Sequence, residues 1–420
     1  MKLFRHTNCR VCGLPTLTPV VSLGKQYLQN AFIFPNQPKP YSRKIPLSLV
    51  LCDRTQNSKA CGLLQMEHTV PPRILYSSYW YRSRVNQTMR DHLKEIVDST
   101  LKLINKKKGR FLDIGCNDGT LLSFVPSTWK KVGVDPSDAT DEISTSLILH
   151  KSMFPHPHII SQYQIKPFDI ITSIAMFYDV EDPVTFVKAI KSILSKNGVW
   201  IFEVAYLPTM LKNNSFDTIC TEHLSYFRLA VLLSILERAG MKCIDVALNN
   251  LNGGSIRLWC THKENTSIHI SGSSKRIENL LEDELKQKLD LPLPYIQFQK
   301  RIEKVRSKLI QTLRKLKKER KTIHLYGAST KGNTIIQFCG ITKKLVEFIA
   351  DRNPLKHGAM TLGTNIPIIS EEASRRMKPD YYLVMPWSFR TEFLKRETET
   401  MKKGVRFIFP LPQLEIIPKP

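Results

Sequence analysis

Apolar and polar positions alternate in three regimes along the chain. Through residues 1–70 the apolar runs are short and cut by Pro15, Pro19, Pro35, Pro38, Pro40 and Pro46, which forbids helices and leaves too few apolar side chains for a large core. From Met89 the spacing turns helical in MRDHLKEIVDSTLKLI. GRFLDIGCNDGTLLSF then reads as strand, glycine turn and helix, and KVGVDPS as a second strand, a βαβ opening. FDIITSIAMF and GVWIFEVAYL continue as strands around the helix VTFVKAIKSIL, followed by KCIDVALN and SIRLWCTH. This alternation predicts a doubly wound, Rossmann-like α/β sheet.

Strand signals then stop between about Lys275 and Lys321, where the helical pattern is interrupted at Pro292 and Pro294. In its second half Phe298, Ile302, Val305, Leu309, Leu313 and Leu316 fall on one helical face. TIHLYGASTKGNTIIQF restarts as strand, glycine turn and helix, with later strands expected in LVEFIAD, YYLVMPW and VRFIFPLP. The expected division is a metal-binding module over 1–70, an α/β domain over 71–270, a helical connector over 271–321 and a second, Rossmann-like α/β domain over 322–420.

A length of 420 residues agrees with several domains, and 42% hydrophobic with 24% charged residues is a globular composition. No apolar run is long enough for a membrane span or a signal sequence, so a cytoplasmic protein with no membrane partner is expected. Lys and Arg number 62 against 37 Asp and Glu, a net charge of +25, which favours an anionic partner: a nucleotide, a phosphate ester or a nucleic acid. Residues 298–321 alone carry eleven basic and two acidic side chains, so much of that excess belongs to one helix. The regular apolar spacing of that helix fits a packed connector better than a membrane or nucleic-acid stripe.

Four motifs carry chemistry. Cys9-x-x-Cys12-Gly and Cys52…Cys61-Gly are two knuckle-like pairs in a segment that needs outside folding energy, which four thiolates on a structural Zn²⁺ would supply. The second pair is more widely spaced than usual, and unpaired thiols are the alternative; His6 and His68 are lesser ligand candidates. In Asp113-Ile-Gly115-Cys-Asn117-Asp118-Gly119, the glycines allow close approach to a ligand, and Asp135 ends the next strand where it can accept from a ribose diol. The motif lacks the G-x-G-x-x-G cradle for a pyrophosphate, and an acid beside the turn suits a cationic amino-acid end, which favours S-adenosylmethionine over NAD. Glu222-His223, with Tyr226 nearby, is a candidate general-base set, since His titrates nearest neutrality and a carboxylate can orient it; a structural or surface role is the alternative. Finally, Tyr326-Gly327-Ala-Ser329-Thr-Lys331-Gly332-Asn333 offers amide donors at a helix N-terminus beside a lysine, a setting for a diphosphate or simply a turn.

Taken in order, CRVCG, CGLLQ, YWYRSRVNQTMRDH, LDIGCNDGTLL, MFYDVEDP, SFDTICTEHLSYF, NGGSIR, YGASTKGNT, DRNPLKHG, LGTNIPI and MPWSFR resemble the class I S-adenosylmethionine-dependent C-methyltransferases of nucleotide-activated deoxysugars. That family joins an N-terminal zinc module, a central methyltransferase domain and a C-terminal Rossmann-like domain, and the resemblance spans nearly the whole chain. It implies that Asp113, Gly115, Asn117, Gly119 and Asp135 line the cofactor and that Glu222 and His223 belong to the catalytic loop. It also implies that Tyr81 reaches in beside them, and that Lys331, Asn333 and Arg257 contact the nucleotide part of the substrate. The implied reaction is proton removal next to a sugar ketone by His223 with Glu222, the enolate oxygen held by Tyr81 or Tyr226, then methyl transfer to that carbon. Cys220 and Thr221 stand where the family has Tyr and His, and Asn252 stands where relatives often have His before Gly-Gly-Ser. These departures bear on the substrate, so a methyltransferase of nucleic acid or another small molecule, and a non-catalytic S-adenosylmethionine-binding protein, are the rival readings. The sequence is silent on oligomeric state.

Overall fold

The computed structural model describes residues 3–76, 79–143 and 147–418. Its centre is a seven-stranded sheet in the order Met241–Asn249, Ser255–His262, Leu194–Ala205, Phe168–Ile174, Arg110–Ile114, Lys130–Val134 and Ile148–His150. Only Ser255–His262 runs against its neighbours; the other neighbouring pairs are parallel. The parallel strands are largely buried on both faces, as mostly apolar runs such as FDIITSI require. Every strand foreseen here from Arg110 to His262 forms, while Ile148–His150 carried too short a run to be seen.

The expected connector divides in two. Its first half, Ser273–Lys286, packs on the central domain through Ile277, Leu280 and Leu281. Its buried Glu284 accepts from Ala230 N at 3.0 Å and from Tyr206 Oη at 2.8 Å, satisfying one of the free amides that open the helix Leu229–Arg238. The second half, Leu293–Lys318, is one helix whose Pro294 sits in its first turn, where a missing N–H costs nothing. Phe298, Ile302, Leu309, Leu313 and Leu316 are buried and Val305 packs beside them, while the basic face looks outward.

That apolar face fills a core shared by the C-terminal domain and the N-terminal module. The C-terminal sheet runs Ile368–Ser370, Ile349–Asp351, Ile323–Tyr326, Tyr381–Val384, Arg406–Phe409 and Glu415–Ile417, parallel except for the last strand. The N-terminal module corrects the expectation of a core-poor, irregular segment. It holds an antiparallel sheet of Leu17–Gln26, Ile45–Cys52 and Leu64–Met66, whose Leu47, Leu49, Leu51, Leu64 and Met66 are fully buried against the long helix and the C-terminal domain. Pro19 and Pro46 are tolerated inside these strands next to irregular register. Ser225–Tyr226, from the central domain, is the fourth strand, and Phe32–Ile33 pairs with Met360–Thr361 of the C-terminal domain.

Candidate active site

Cys9, Cys12, Cys52 and Cys61 converge at the end of the module sheet, all four Sγ atoms lying within 4.8 Å of one another. Cys9 to Cys61 and Cys12 to Cys52 are each 3.5 Å apart. A tetrahedron with Zn–S bonds of about 2.3 Å has edges of about 3.8 Å, so the four thiolates fit Zn²⁺ with no position left open. His6 instead faces Thr69 and Glu181, and His68 faces Glu67.

A cavity of about 690 Å³ opens between all three parts of the chain. On one side it is walled by Asp113, Gly115, Asn117 and Asp135. Gly115 has φ +76°, and a Cβ there would stand 2.9 Å from Met176 Cγ, so the turn needs glycine both for its backbone and for the space. Asp135 accepts from Asn117 N at 2.9 Å and from Ser137 N and Oγ at 2.8 and 2.6 Å, which fixes its carboxylate at the carboxyl end of the sheet. Asp113 accepts from Thr172 Oγ1 at 2.6 Å, and burial lifts it to about 7. This wall fits S-adenosylmethionine: an acid for the ribose, a glycine for close approach, and acids for a cationic end. Asn117 and Asp118 also grip the segment before the domain, accepting from Ser83 N and Arg84 N, while Asn117 Nδ2 donates to Tyr81 O. Asp118 and Gly119 do not line the cavity; Gly119 packs on Ile143.

Across the cavity stands the second glycine turn with Ser329, Thr330 and Lys331. Lys331 Nζ donates to Asn252 O at 2.9 Å, and burial lowers its affinity for a proton. Asn333 points elsewhere, donating to Gln29 O at 2.5 Å. Arg257 is also absent from the cavity: its strand partner is Glu203, and its guanidinium donates to Glu203 Oε2 at 3.0 Å and Glu95 Oε2 at 2.8 Å.

Between the two turns lies the loop containing Cys220, Glu222 and His223. His223 Nδ1 donates to Thr218 O at 2.7 Å, which leaves Nε2 with its lone pair. Its ring lies 4.3 Å from that of Tyr178. Desolvation and the Lys331 charge hold the imidazole down at about 3, so it is neutral at physiological pH. Glu222 is buried and lifted to about 7 by desolvation, against a hydrogen bond from Asn30. Tyr81, 45% exposed, lines the cavity, whereas Tyr226 is buried behind His223 and donates to Thr218 O at 3.3 Å. The loop is held by the N-terminal module: Thr221 N and Oγ1 donate to Gln29 Oε1, and Met66 N donates to Leu224 O.

Several cavity residues went unforeseen. Asp179 and Tyr178 sit just past the strand Phe168–Ile174, and Tyr76 and Tyr79 come from the preceding segment. Burial and the Glu222 charge raise Asp179 well above the carboxylate range, and its Oδ1 has no partner among the described residues. The signal was available: ligands of open parallel sheets gather beyond the carboxyl ends of the strands.

Comparisons with known proteins agree with this layout. Family models for a zinc binding domain, a methyltransferase domain and a C-methyltransferase C-terminal domain match residues 9–76, 81–246 and 250–412. The C-methyltransferase NovU of Streptomyces niveus is 28% identical over 98% of this chain and 96% of its own length. A tRNA U34 carboxymethyltransferase of Campylobacter jejuni is 28% identical over 32% of this chain and half of its own. Among solved structures, an S-adenosylmethionine-dependent methyltransferase from Clostridium acetobutylicum covers 41% of this chain and 92% of its own at 14% identity, with a TM-score of 0.34, too low to add an argument.

Proposed function

We propose, from the premise that this chain belongs to the three-domain, S-adenosylmethionine-dependent C-methyltransferases, that it methylates a carbon next to the ketone of a nucleotide-activated deoxysugar. The observation that carries the reading is the position of His223 Nε2, a free lone pair in the cavity that joins the Asp113–Asp135 wall to the Lys331 turn.

In this reading Asp113, Gly115, Asn117 and Asp135 hold S-adenosylmethionine, which supplies an electrophilic methyl on a sulfonium. Lys331 and the free amides at the start of the helix Thr330–Cys339 receive the nucleotide diphosphate. The sugar ketone then lies by the 220–223 loop. His223 Nε2 takes the proton from the carbon beside the ketone, and Nδ1–H stays on Thr218 O, fixing tautomer and ring plane. A diphosphate beside Lys331 offsets the cationic field that disfavours imidazolium, so substrate binding itself strengthens the base. Glu222, ionised, stabilises the imidazolium once formed. Tyr178 and Tyr81 line the cavity as hydroxyl donors for the enolate oxygen; desolvation pushes Tyr178 above the usual phenol range, so its O–H is retained. Tyr226, committed to Thr218 O behind His223, steadies the ring from outside the cavity.

The test is a nucleoside diphosphate ketodeoxysugar with S-adenosylmethionine, followed by mass spectrometry. Gain of one methyl, and deuterium wash-in at the same carbon without methyl donor, are expected. His223→Gln should lower both by at least about 100-fold while S-adenosylmethionine still binds. Undiminished wash-in in that variant would remove His223 as the base. Methyl gain on RNA with none on any ketosugar would overturn the substrate class.

A further inference from the structure

Cys220 lies in the loop that carries Glu222 and His223, and its placement has a chemical consequence. A ligand atom from each of Cys220, Glu222 and His223 lies within 4.8 Å of the others, and all three side chains line the cavity. Cys220 is a free and fully buried thiol. Glu222 Oε1 is buried without a hydrogen-bond partner among the described residues, although Asn30 holds the carboxyl group. The donation from His223 Nδ1 to Thr218 O is the outer hydrogen bond that orients metal-binding imidazoles, and it leaves Nε2 free for a cation.

We propose that Cys220, Glu222 and His223 form a second metal site, taking a zinc-like divalent cation on a thiolate, a carboxylate oxygen and Nε2, with the fourth position open to the cavity. Thiolate, carboxylate and imidazole together suit a cation of zinc's borderline softness, and three protein ligands with one open position distinguish this site from the closed four-cysteine one. Local charge agrees. Glu222 and Asp179 act on Cys220, and Glu222 on Asp179, in a shared dry space, and Lys331, which faces Cys220, is shared with Asp217. A divalent cation would balance that group. Bound there, it engages the Nε2 lone pair needed for proton removal, so the loaded enzyme is switched off. That consequence rests on His223 being the base; the binding does not.

Equilibrating the full chain with buffered free zinc and measuring bound metal by plasma mass spectrometry should give two zinc per chain for the natural sequence and one for Cys220→Ala. His223→Gln, which loses the Nε2 ligand, supplies a second variant and should likewise hold one zinc. Saturation of the natural chain at one zinc, or retention of two in Cys220→Ala or His223→Gln, would each overturn the site. Two bound zinc ions with undiminished deuterium wash-in would leave the site standing and instead refute His223 as the base.

Discussion

Glu222→Gln should stabilise the fold, and by an amount that grows with pH. In the unfolded chain the carboxyl titrates near 4.5; burial in the cavity wall raises it to about 7, the Asn30 hydrogen bond only partly opposing this. Between those values the folded state binds more protons than the unfolded one, so the free energy of unfolding falls as pH rises through this window. At about 1.4 kcal/mol per pH unit the penalty reaches about 3 kcal/mol above pH 7 and vanishes below the unfolded value. Gln cannot ionise, keeps nearly the same shape and still accepts from Asn30. The variant should therefore match the natural chain near pH 4.5 and exceed it by up to about 3 kcal/mol near pH 8. Asp179, whose proton is held partly by the Glu222 charge, should ionise more readily in the variant, adding to the gain. Urea unfolding of both proteins, each carrying one zinc on the four cysteines and none on the 220–223 loop, reads the difference directly across this range. An offset independent of pH would mean that packing and not ionisation governs the position, and a difference that shrinks with rising pH would refute the reasoning.

Three further outcomes follow from the same geometry. Lys331→Met removes the cation that adds to desolvation in depressing His223, so the imidazole titration followed by NMR should move up, while KM for the proposed nucleotide substrate rises on the order of tenfold or more with the loss of a charge-assisted contact; an unmoved imidazole would break that link. Gly115→Ala forces a Cβ onto a left-handed backbone and to 2.9 Å from Met176 Cγ, so calorimetry should show S-adenosylmethionine binding weakened about tenfold. Stripping the four-cysteine zinc with a strong chelator should lower the thermal midpoint and abolish methyl transfer together, because the sheet that zinc anchors carries Ser225–Tyr226 as its edge strand; full activity without zinc would contradict that coupling.

The sequence was most legible where a signal is local. Phe168–Ile174 announces itself by a mostly apolar run because parallel central strands are buried on both faces. The glycine turns were legible because Gly115 and Gly327 adopt positive φ, which restricts the residue type. Arg257 shows where locality fails. As an isolated cation near the Gly-Gly-Ser segment it suggests an anionic substrate, but it lies directly across the ladder from Glu203, fifty-four residues earlier, and only the antiparallel insertion of its strand creates that pair. The N-terminal module was underestimated for the same reason: its leucines have no core of their own and are buried by a helix nearly 250 residues away.

The distribution of these long-range contacts explains why a zinc module belongs in an enzyme whose closed metal site has no open position for chemistry. The 220–223 loop has little regular structure, and an exposed loop of this kind would sample many conformations. Here its partners come from the N-terminal module: Gln29 takes Thr221, Asn30 takes Glu222, and Leu64–Met66 pairs with Ser225–Tyr226 just beyond His223. Cys52 ends one strand of that sheet and Cys61 precedes the next, so zinc fixes the register on which the loop is laid. Asn333 of the C-terminal domain also donates to Gln29 O, so the residue that holds Thr221 is gripped from the opposite side. A general base must lie within hydrogen-bonding reach of its proton, and errors of about 1 Å in such placement can cost on the order of 100-fold in rate. On the proposal that His223 is the base, the structural metal acts on the reaction through position alone: it orders a sheet, the sheet orders a loop, and the loop presents Nε2 between the two glycine turns.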